Sequence, residues 1–157
     1  RMVLGESSLL PCTPYGVMEM FKAYDIDLQG KEVVMVGKSV VVGRPMLELM
    51  LRENATITIC HSKTKDLSAH TKNADIVVTA TGVPGLIKAD MVKDGAVVID
   101  IGTTKVDGKL KGDVEYDSVK EKASFITPVP GGVGPMTVAC LMKNTLQAYK
   151  QQNNMKV

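Results

Sequence analysis

A glycine-bounded loop follows the first strongly apolar run of the sequence and contains residue types that bind phosphate. Gly37 and Gly43 enclose five residues that include Lys38 and Ser39, and Arg44 follows directly. At a strand-to-helix junction, free backbone N–H groups and the helix dipole attract anions. Gly37 permits a tight turn, Ser39 offers a hydroxyl, and Lys38 and Arg44 add positive charge. The loop differs from GxGxxG, yet it predicts a pyrophosphate site; an ordinary strand-to-helix turn is the alternative.

A polar stretch about twenty residues further on bears on which dinucleotide would bind. In NAD-binding folds an Asp or Glu at this place contacts the ribose 2′-hydroxyl. Here the stretch Cys60–Lys65 reads CHSKTK, with Ser62 at its centre and no acid before Asp66. Hydroxyls and cations suit a 2′-phosphate, so the sequence favours NADP over NAD, with a solvated polar loop as the alternative. We expect His61 to be a structural hydrogen bonder.

A second glycine cluster, Pro128–Thr137, is the most specific segment of the chain. Three prolines and three glycines lie within its first eight residues. Such a loop fixes an unusual backbone path and lets a ligand approach the main chain closely. The segment therefore predicts a rigid wall beside a flat ligand; a bent structural loop is the alternative.

Four short apolar runs precede or separate these loops. Each is nearly continuously apolar, which is typical of strands covered on both faces. Helical patterns occur between some of them, and repeated strand–helix–strand units favour a parallel sheet. We therefore predict an α/β fold, Rossmann-like and doubly wound, with a mainly parallel sheet and helices on both faces. The predicted strands are Val33–Val36, Thr56–Cys60, Asp75–Ala80 and Ala96–Ile101, and the helices between them are Pro45–Leu51, Leu67–Asn73 and Asp90–Lys93.

The remaining elements follow from capping, turn and periodicity signals. Thr13-Pro14 has the pattern of an N-cap followed by proline at the first helical position. Asp107-Gly108 predicts a hairpin turn. We also predict a helix over Tyr116–Lys122, a last strand over Phe125–Val129, and a final helix over Met136–Gln151 with Val138, Leu141, Met142 and Leu146 on one face.

The composition excludes several classes of function. A net charge of +2, aromatics at 4% and no Trp argue against a nucleic-acid partner. The three cysteines, Cys12, Cys60 and Cys140, are far apart and indicate neither a disulfide framework nor a zinc site, as in a reducing cytoplasm. The longest uncharged stretch, Ala123–Met142, contains three prolines and three glycines, so we expect no membrane-spanning helix.

The 157 residues suit one domain with a single core. The sequence starts at Arg1 rather than at Met, and we expect it to come from a longer protein. The expected organisation is a remnant of an interdomain segment at 1–12, a dinucleotide-binding domain at 13–151 and a tail at 152–157.

Taken together, four stretches resemble the bifunctional methylenetetrahydrofolate dehydrogenase/cyclohydrolase family, in the same order along the chain. They are Pro11–Pro14 (PCTP), the Gly37–Pro45 loop, Gly112–Val114 (GDV) and Pro128–Thr137 (PVPGGVGPMT). The resemblance covers essentially the whole chain, and it is more specific than any single motif.

This resemblance implies NADP-dependent oxidation of 5,10-methylenetetrahydrofolate to the 5,10-methenyl form, followed by hydrolysis to 10-formyltetrahydrofolate. It implies a Rossmann-like NAD(P)-binding domain and a cytoplasmic homodimer, commonly formed through this domain. The family's cofactor contacts map onto Gly37, Lys38, Ser39, Ser62 and Thr103, and its wall beside folate and nicotinamide maps onto Gly134, Pro135 and Thr137.

The sequence departs from the family pattern in two places. Lys38 stands where the phosphate loop often carries Arg, and lysine cannot make bidentate contacts with phosphate. Gly102-Thr103-Thr104 stands where the family usually reads Gly-Ile-Asn. The family's catalytic lysine and tyrosine belong to a first domain upstream of Arg1. We therefore expect no catalytic residue in this chain and treat the Tyr116 to Lys120 spacing, a formal Tyr-x-x-x-Lys match, as chance.

Two other functional classes remain open at this stage. One is a dinucleotide-binding module without chemistry, and the other is a dimerisation scaffold whose glycine loops are only structural. The Pro128–Thr137 segment favours the enzyme, because a nucleotide module has no use for a wall beside folate.

Overall fold

The computed structural model describes residues 9–155, which form seven strands. They are β1 Glu32–Val36, β2 Thr56–Cys60, β3 Ile76–Thr79, β4 Val97–Asp100, β5 Thr104–Val106, β6 Lys109–Lys111 and β7 Phe125–Ile126. Five of them make a parallel sheet in the order β2-β1-β3-β4-β7, and β5 and β6 make a separate antiparallel hairpin.

Helices occupy the connections and the two ends of the described chain. They are α1 Cys12–Ala23, α2 Gly43–Arg52, α3 Leu67–Thr71, α4 Tyr116–Lys120 and α5 Val133–Gln152, with a short 3-10 helix at Ala89–Met91. The 3-10 helix replaces the α-helix predicted at 90–93.

Successive residues of β1 enter two separate cores, one on each face of the sheet, where the chain length had suggested a single core. Val33 and Met35 pack in a core that includes Phe21 of α1. Val34 and Val36 pack in the opposite core with residues from the far side of the sheet. Because side chains alternate along a strand, a continuously apolar run fills both faces at once. The predicted doubly wound α/β fold is therefore confirmed.

The first and last helices pack against each other at close range. A Cβ placed on Gly16 would lie 3.0 Å from the Met136 Cβ, so a small residue is needed where α1 meets α5. The N-cap of α1 is Pro11, and no side chain caps this helix. The prediction that Thr13 is the N-cap was wrong, because Thr13 lies inside the helix and its Oγ1 is 3.0 Å from Thr137 Oγ1 on α5.

The final helix begins three residues earlier than its sequence pattern predicts. Its first turn contains Pro135. Proline is tolerated there because N–H groups of the first turn have no acceptor within the helix. Its apolar face points outward, since Val138 and Met142 are 63% and 67% exposed. The inner face is formed instead by residues such as Cys140 and Asn144.

The last strand of the sheet is shorter than predicted, covering Phe125–Ile126 rather than Phe125–Val129. Pro128 and Pro130 cannot donate a ladder hydrogen bond, which explains the early end. The hairpin turn at 107–108 is confirmed, with both residues at positive φ. None of the helices in residues 9–155 has the length and apolarity needed to cross a membrane.

Candidate functional site

The carboxyl ends of the five parallel strands meet at one edge of the sheet. The loops that carry the predicted site residues all start at this edge, because each follows a strand end directly. In open α/β sheets, ligands bind in the crevice outside these strand ends. Two clefts lie there, which we call the first cleft and the second cleft.

The first cleft has a volume of about 520 Å³ and lies around the ends of β1, β2 and β3. The glycine loop after β1 forms one wall. Its lining includes Gly37, Lys38, Ser39, Ser62 and Thr81. The structure thus brings together four of the predicted cofactor residues from two separate loops.

Two glycines of the loop pack too closely for any side chain. Gly37 has a φ of 120°, and a Cβ there would lie 2.5 Å from the Ala80 carbonyl oxygen. A Cβ on Gly43 would overlap the Gly37 carbonyl oxygen. The loop therefore closes on itself and on the end of β3, as a turn that brings backbone close to a ligand requires.

Ser39 holds the loop in shape from within. Its Oγ accepts hydrogen bonds from the backbone N–H groups of Val42 at 3.1 Å and Gly43 at 3.3 Å. Its own hydroxyl hydrogen is therefore free to donate to an anion. The N–H groups of Val40 and Val41 donate to no acceptor within residues 9–155. These two free N–H groups lie in the loop just before α2, and free N–H groups at such a position have the chemistry that binds phosphate.

The loop after β2 keeps its one acid away from the first cleft. The Asp66 carboxylate caps α3 by accepting from the Ala69 N–H at 3.0 Å. His61 Nδ1 accepts from the Lys63 N–H at 3.2 Å, which is a structural role. Ser62 and Lys63 are both exposed beside the cleft. This loop therefore offers hydroxyl and ammonium groups and no carboxylate.

Arg44 differs from the other predicted cofactor residues. Its side chain is exposed in the first turn of α2 and is not among the described residues that line the first cleft. Its backbone N–H donates to the Ser39 carbonyl oxygen at 2.9 Å, which closes the turn. Arg44 can add positive charge near the loop, but the sequence alone did not reveal that its side chain is no part of the cleft lining.

The second cleft has a volume of about 460 Å³ and lies between the ends of β4 and β7 and the start of α5. It brings together Thr103, Gly134, Pro135 and Thr137. Thr137 Oγ1 lies 3.3 Å from the Val133 carbonyl oxygen and 3.0 Å from the Thr13 hydroxyl. The predicted wall segment and the predicted cofactor contact after β4 thus face the same space.

The sequence analysis assigned no ligand-binding role to two residues that line the second cleft, Thr13 and Asp100. Asp100 ends a strand that is otherwise Val-Val-Ile, and a carboxyl directly after such a run is a signal that could have been noticed. Burial raises the pKa of Asp100 to about 6, while the backbone N–H groups of Val114 and Asp113 act in the opposite direction. Within residues 9–155, no group of three or more His, Cys, Asp or Glu side chains could hold a metal ion.

Comparisons with known proteins agree with this geometry. The family model described as tetrahydrofolate dehydrogenase/cyclohydrolase, NAD(P)-binding domain, matches residues 11–153. The chain is 57% identical over 152 residues to the bifunctional protein FolD of Bacillus licheniformis and 60% identical over 153 residues to that of a Sulfurovum species. These alignments cover 96% and 97% of the chain but 54% of each relative, so the chain spans about half the length of the curated relatives it matches.

Solved structures give the same picture. The FolD methylenetetrahydrofolate dehydrogenase/cyclohydrolase of Campylobacter jejuni matches with a TM-score of 0.94 and 51% identity, over 96% of this chain and 54% of that one. The FolD enzyme of Trypanosoma brucei, solved with NADP cofactor and an inhibitor, matches with a TM-score of 0.90 and 42% identity, over 96% of this chain and 55% of that one. The chain therefore belongs to the tetrahydrofolate dehydrogenase/cyclohydrolase family and corresponds to its NAD(P)-binding domain.

Proposed function

We propose that this chain is the nucleotide-binding half of an enzyme of folate one-carbon metabolism. The whole enzyme oxidises 5,10-methylenetetrahydrofolate to 5,10-methenyltetrahydrofolate with NADP and then hydrolyses that cation to 10-formyltetrahydrofolate. The observation that carries the proposal is the convergence of the glycine loop, Ser62 and the Gly134–Thr137 wall on one edge of the sheet, in a chain of this family.

The first cleft suits the phosphates and the adenosine of NADP. The closed backbone of Gly37 and Gly43 leaves room for a pyrophosphate beside the loop, and the Ser39 hydroxyl can donate to it. Lys38 and Ser62 are exposed beside it and suit the 2′-phosphate, with Arg44 adding charge from α2. The one acid of the loop after β2, Asp66, caps α3. The loop therefore places no carboxylate to accept a hydrogen bond from a free ribose 2′-hydroxyl, as NAD-binding folds do.

The second cleft suits the nicotinamide and one face of the pterin. The chemistry that bound NADP would supply is acceptance of the hydride. Thr103 lies beside the nicotinamide in this proposal, and Gly134, Pro135 and Thr137 form the wall against which the folate stacks. Hydride transfer needs two carbons held roughly 3–3.5 Å apart, so a rigid wall on one side contributes by orientation. The proton transfers and the activation of water belong to a preceding domain in this proposal.

The three cysteines support a cytoplasmic location. Cys12, Cys60 and Cys140 are all free thiols. Free thiols suit a reducing compartment, where disulfides are rare.

Calorimetric titration of the purified chain, residues 1–157, with NADP and separately with NAD tests the proposal. We expect weak binding that prefers NADP and no dehydrogenase or cyclohydrolase turnover. Lys38→Ala should weaken NADP binding roughly tenfold or more, because a charge-assisted hydrogen bond is worth about 1.5–3 kcal/mol. The matched control is Lys22→Ala, which removes an exposed lysine from the last turn of α1 and should change nothing.

A variant of the β2 loop separates the two dinucleotides more sharply. Ser62→Asp should reverse the preference toward NAD, because a carboxylate repels the 2′-phosphate and accepts from the 2′-hydroxyl. Binding of neither dinucleotide to the unaltered chain would contradict the cofactor assignment, and turnover by this chain alone would contradict the division of labour between domains.

We also propose that the chain forms a homodimer through the groove between α1 and β7. This groove has a volume of about 760 Å³, and its lining is mostly apolar. Tyr24 is 60% exposed and Phe125 is 43% exposed there, with ring centroids 5.9 Å apart. Exposed aromatic side chains at a groove are typical of protein interfaces.

Sedimentation equilibrium tests the homodimer. The unaltered chain should give the mass of two copies, and Tyr24→Lys should give the mass of one, since a buried unpaired charge opposes association. The control is Tyr149→Lys, which is 58% exposed on α5. If only the control variant dissociates, the interface lies on α5 instead.

A further inference from the structure

Two aspartates without a role in the proposed function are buried side by side at the sheet edge. Asp100 ends β4 and is 3% exposed, and Asp113, in the segment between the hairpin and α4, is fully buried. Neither forms an ion pair with a cation of residues 9–155. Burying two carboxyl groups without a cation is costly unless hydrogen-bond donors surround them. The groups that donate hydrogen bonds to these two carboxyls therefore indicate what the pair does.

Asp100 binds backbone on both sides of the hairpin. Its Oδ1 accepts from the N–H of Gly102 at 2.9 Å and of Asp113 at 3.1 Å, and its Oδ2 accepts from the N–H of Val114 at 2.9 Å. A Cβ on Gly102 would overlap the Asp113 carboxyl, and one on Gly112 would overlap the Asp100 carboxyl. The two carboxyls are tightly enclosed, so Asp100 fixes the turn after β4 relative to the segment that follows the hairpin.

Asp113 binds the end of the neighbouring strand β3. Its Oδ2 accepts from the Thr79 hydroxyl at 2.9 Å, from the Thr81 N–H at 2.6 Å and from the Thr81 hydroxyl at 2.8 Å. Its Oδ1 is buried and has no hydrogen-bond partner. The two carboxyls thus form one continuous link from the end of β3 to the turn after β4.

This link lies at the junction of the two clefts. Thr81 lines the first cleft, and Asp100 and Thr103 line the second. In a dinucleotide-binding sheet the adenosine ribose lies at the end of the second strand and the pyrophosphate at the end of the first. With the strand order β2-β1-β3-β4, the other half of the molecule must pass the ends of β3 and β4.

We propose that Asp100 and Asp113 are positioning residues for the nicotinamide half of the dinucleotide. They hold the ends of β3 and β4 at the spacing that lets one ligand occupy both clefts, and they leave the adenosine half to the glycine loop and Ser62. This inference rests on the proposed function. It deepens that function by assigning a role to two side chains that need not touch the ligand.

The test compares two ligands on the same purified chain. Adenosine 2′,5′-bisphosphate probes the first cleft alone, and NADP probes both. Asp113→Asn keeps the shape of the side chain but removes the charge that strengthens its three hydrogen bonds. We expect it to weaken NADP binding about tenfold while adenosine 2′,5′-bisphosphate binding stays within about twofold of the unaltered chain.

A second variant covers failure of the first to fold. Thr79→Val is nearly isosteric, lies fully buried at the end of β3 and removes one donor from Asp113. It should weaken NADP binding about threefold with the same indifference to the bisphosphate. The matched control is Asp117→Asn, an exposed carboxyl on α4, which should alter neither ligand.

The outcomes are distinguishable. Equal weakening of both ligands would mean a general structural role and would overturn the inference, as would no weakening of either in both variants. If the unaltered chain binds neither ligand, the proposed function itself is overturned and the inference with it. Loss of NADP affinity alone supports both.

Discussion

The two clefts at the sheet edge are built in different ways. The glycine loop of the first cleft is held mainly by its own residues, because Ser39 accepts from the N–H groups of Val42 and Gly43, three and four residues away. The second cleft is held by contacts across the chain. Thr13 and Thr137, separated by 124 residues, form a hydroxyl pair, and the Thr127 hydroxyl accepts from the Asp100 N–H across 27 residues.

This difference indicates what each cleft depends on. A loop that closes on itself keeps its shape as long as β1 and α2 are in place. A phosphate site of this kind can therefore be predicted from a short sequence motif. The second cleft is lined by residues from α1, the ends of β4 and β7 and the start of α5, so it exists only once these elements have packed together. Changes in the two regions should therefore have effects of different size and kind.

The largest expected effect follows Gly43→Ala. The added methyl group would overlap the Gly37 carbonyl oxygen, and Gly37 cannot retreat, since its N–H donates to the Cys60 carbonyl oxygen at 2.9 Å. We expect the free energy of unfolding to fall by about 3 kcal/mol and binding of adenosine 2′,5′-bisphosphate to be lost. Urea unfolding and calorimetry measure these two results. Unchanged bisphosphate affinity would mean that the closed loop is not the phosphate site.

An intermediate effect should appear in the pH dependence of stability, through Asp100. Burial raises the pKa of this carboxyl from 3.8 to about 6, and the neighbouring Asp113 carboxyl acts in the same direction. The folded state therefore holds the proton more tightly than the unfolded state. This contribution to stability is complete below about pH 3.8 and is lost as the pH rises through 6.

From pH 4.5 to pH 7.5 the free energy of unfolding should fall by roughly 2 kcal/mol through this group alone. Asp100→Asn removes the titration, so the difference between the two chains isolates it, although the variant also loses an acceptor for the Val114 N–H. Urea unfolding at the two pH values gives the comparison. An identical pH dependence in both chains would mean that Asp100 is already ionised at pH 4.5.

The smallest effect is expected for Gly134→Ala in the wall of the second cleft. A Cβ there meets nothing within 4 Å, and the residue lies in the first turn of α5. Alanine favours helix over glycine, so the free energy of unfolding should stay equal or rise by up to about 1 kcal/mol. Adenosine 2′,5′-bisphosphate should bind as before. A loss as large as that of Gly43→Ala would remove the distinction between the two clefts.

Most of the fold could be predicted from periodicity and turn chemistry. Residues 56–60 form a strand with the predicted bounds, and the other long runs differ from β1, β3 and β4 by at most one residue at each end. The errors occurred where tertiary contacts overrode local signals. Thr13 has the residue type of an N-cap, but its hydroxyl pairs with α5, and the helix predicted from Met136 starts at Val133.

For the site, the sequence predicted which loops lie at the clefts but not which of their side chains line them. Lys38, Ser39 and Ser62 line the first cleft, whereas Arg44 is exposed and does not, and the cofactor contacts of all four stay predictions. The sequence predicted that apolar residues share one face of α5. This face is exposed to solvent, and Leu141 on it is 55% exposed. Helical periodicity defines a face without saying which side the rest of the protein covers.

The sequence by itself determined the order of strands and helices along the chain, the tight glycine loop and the family. The first two depend on residues within a few positions of one another, and the family depends on a resemblance that extends over the whole chain. Only the tertiary structure decided which polar groups are buried together. Hydrogen bonds join Asp100 to Asp113, Asp113 to Thr81, and Thr13 to Thr137, across 13, 32 and 124 residues respectively. No local signal encodes such pairs, because they form only when packing of the two cores brings distant strand ends and helices into contact.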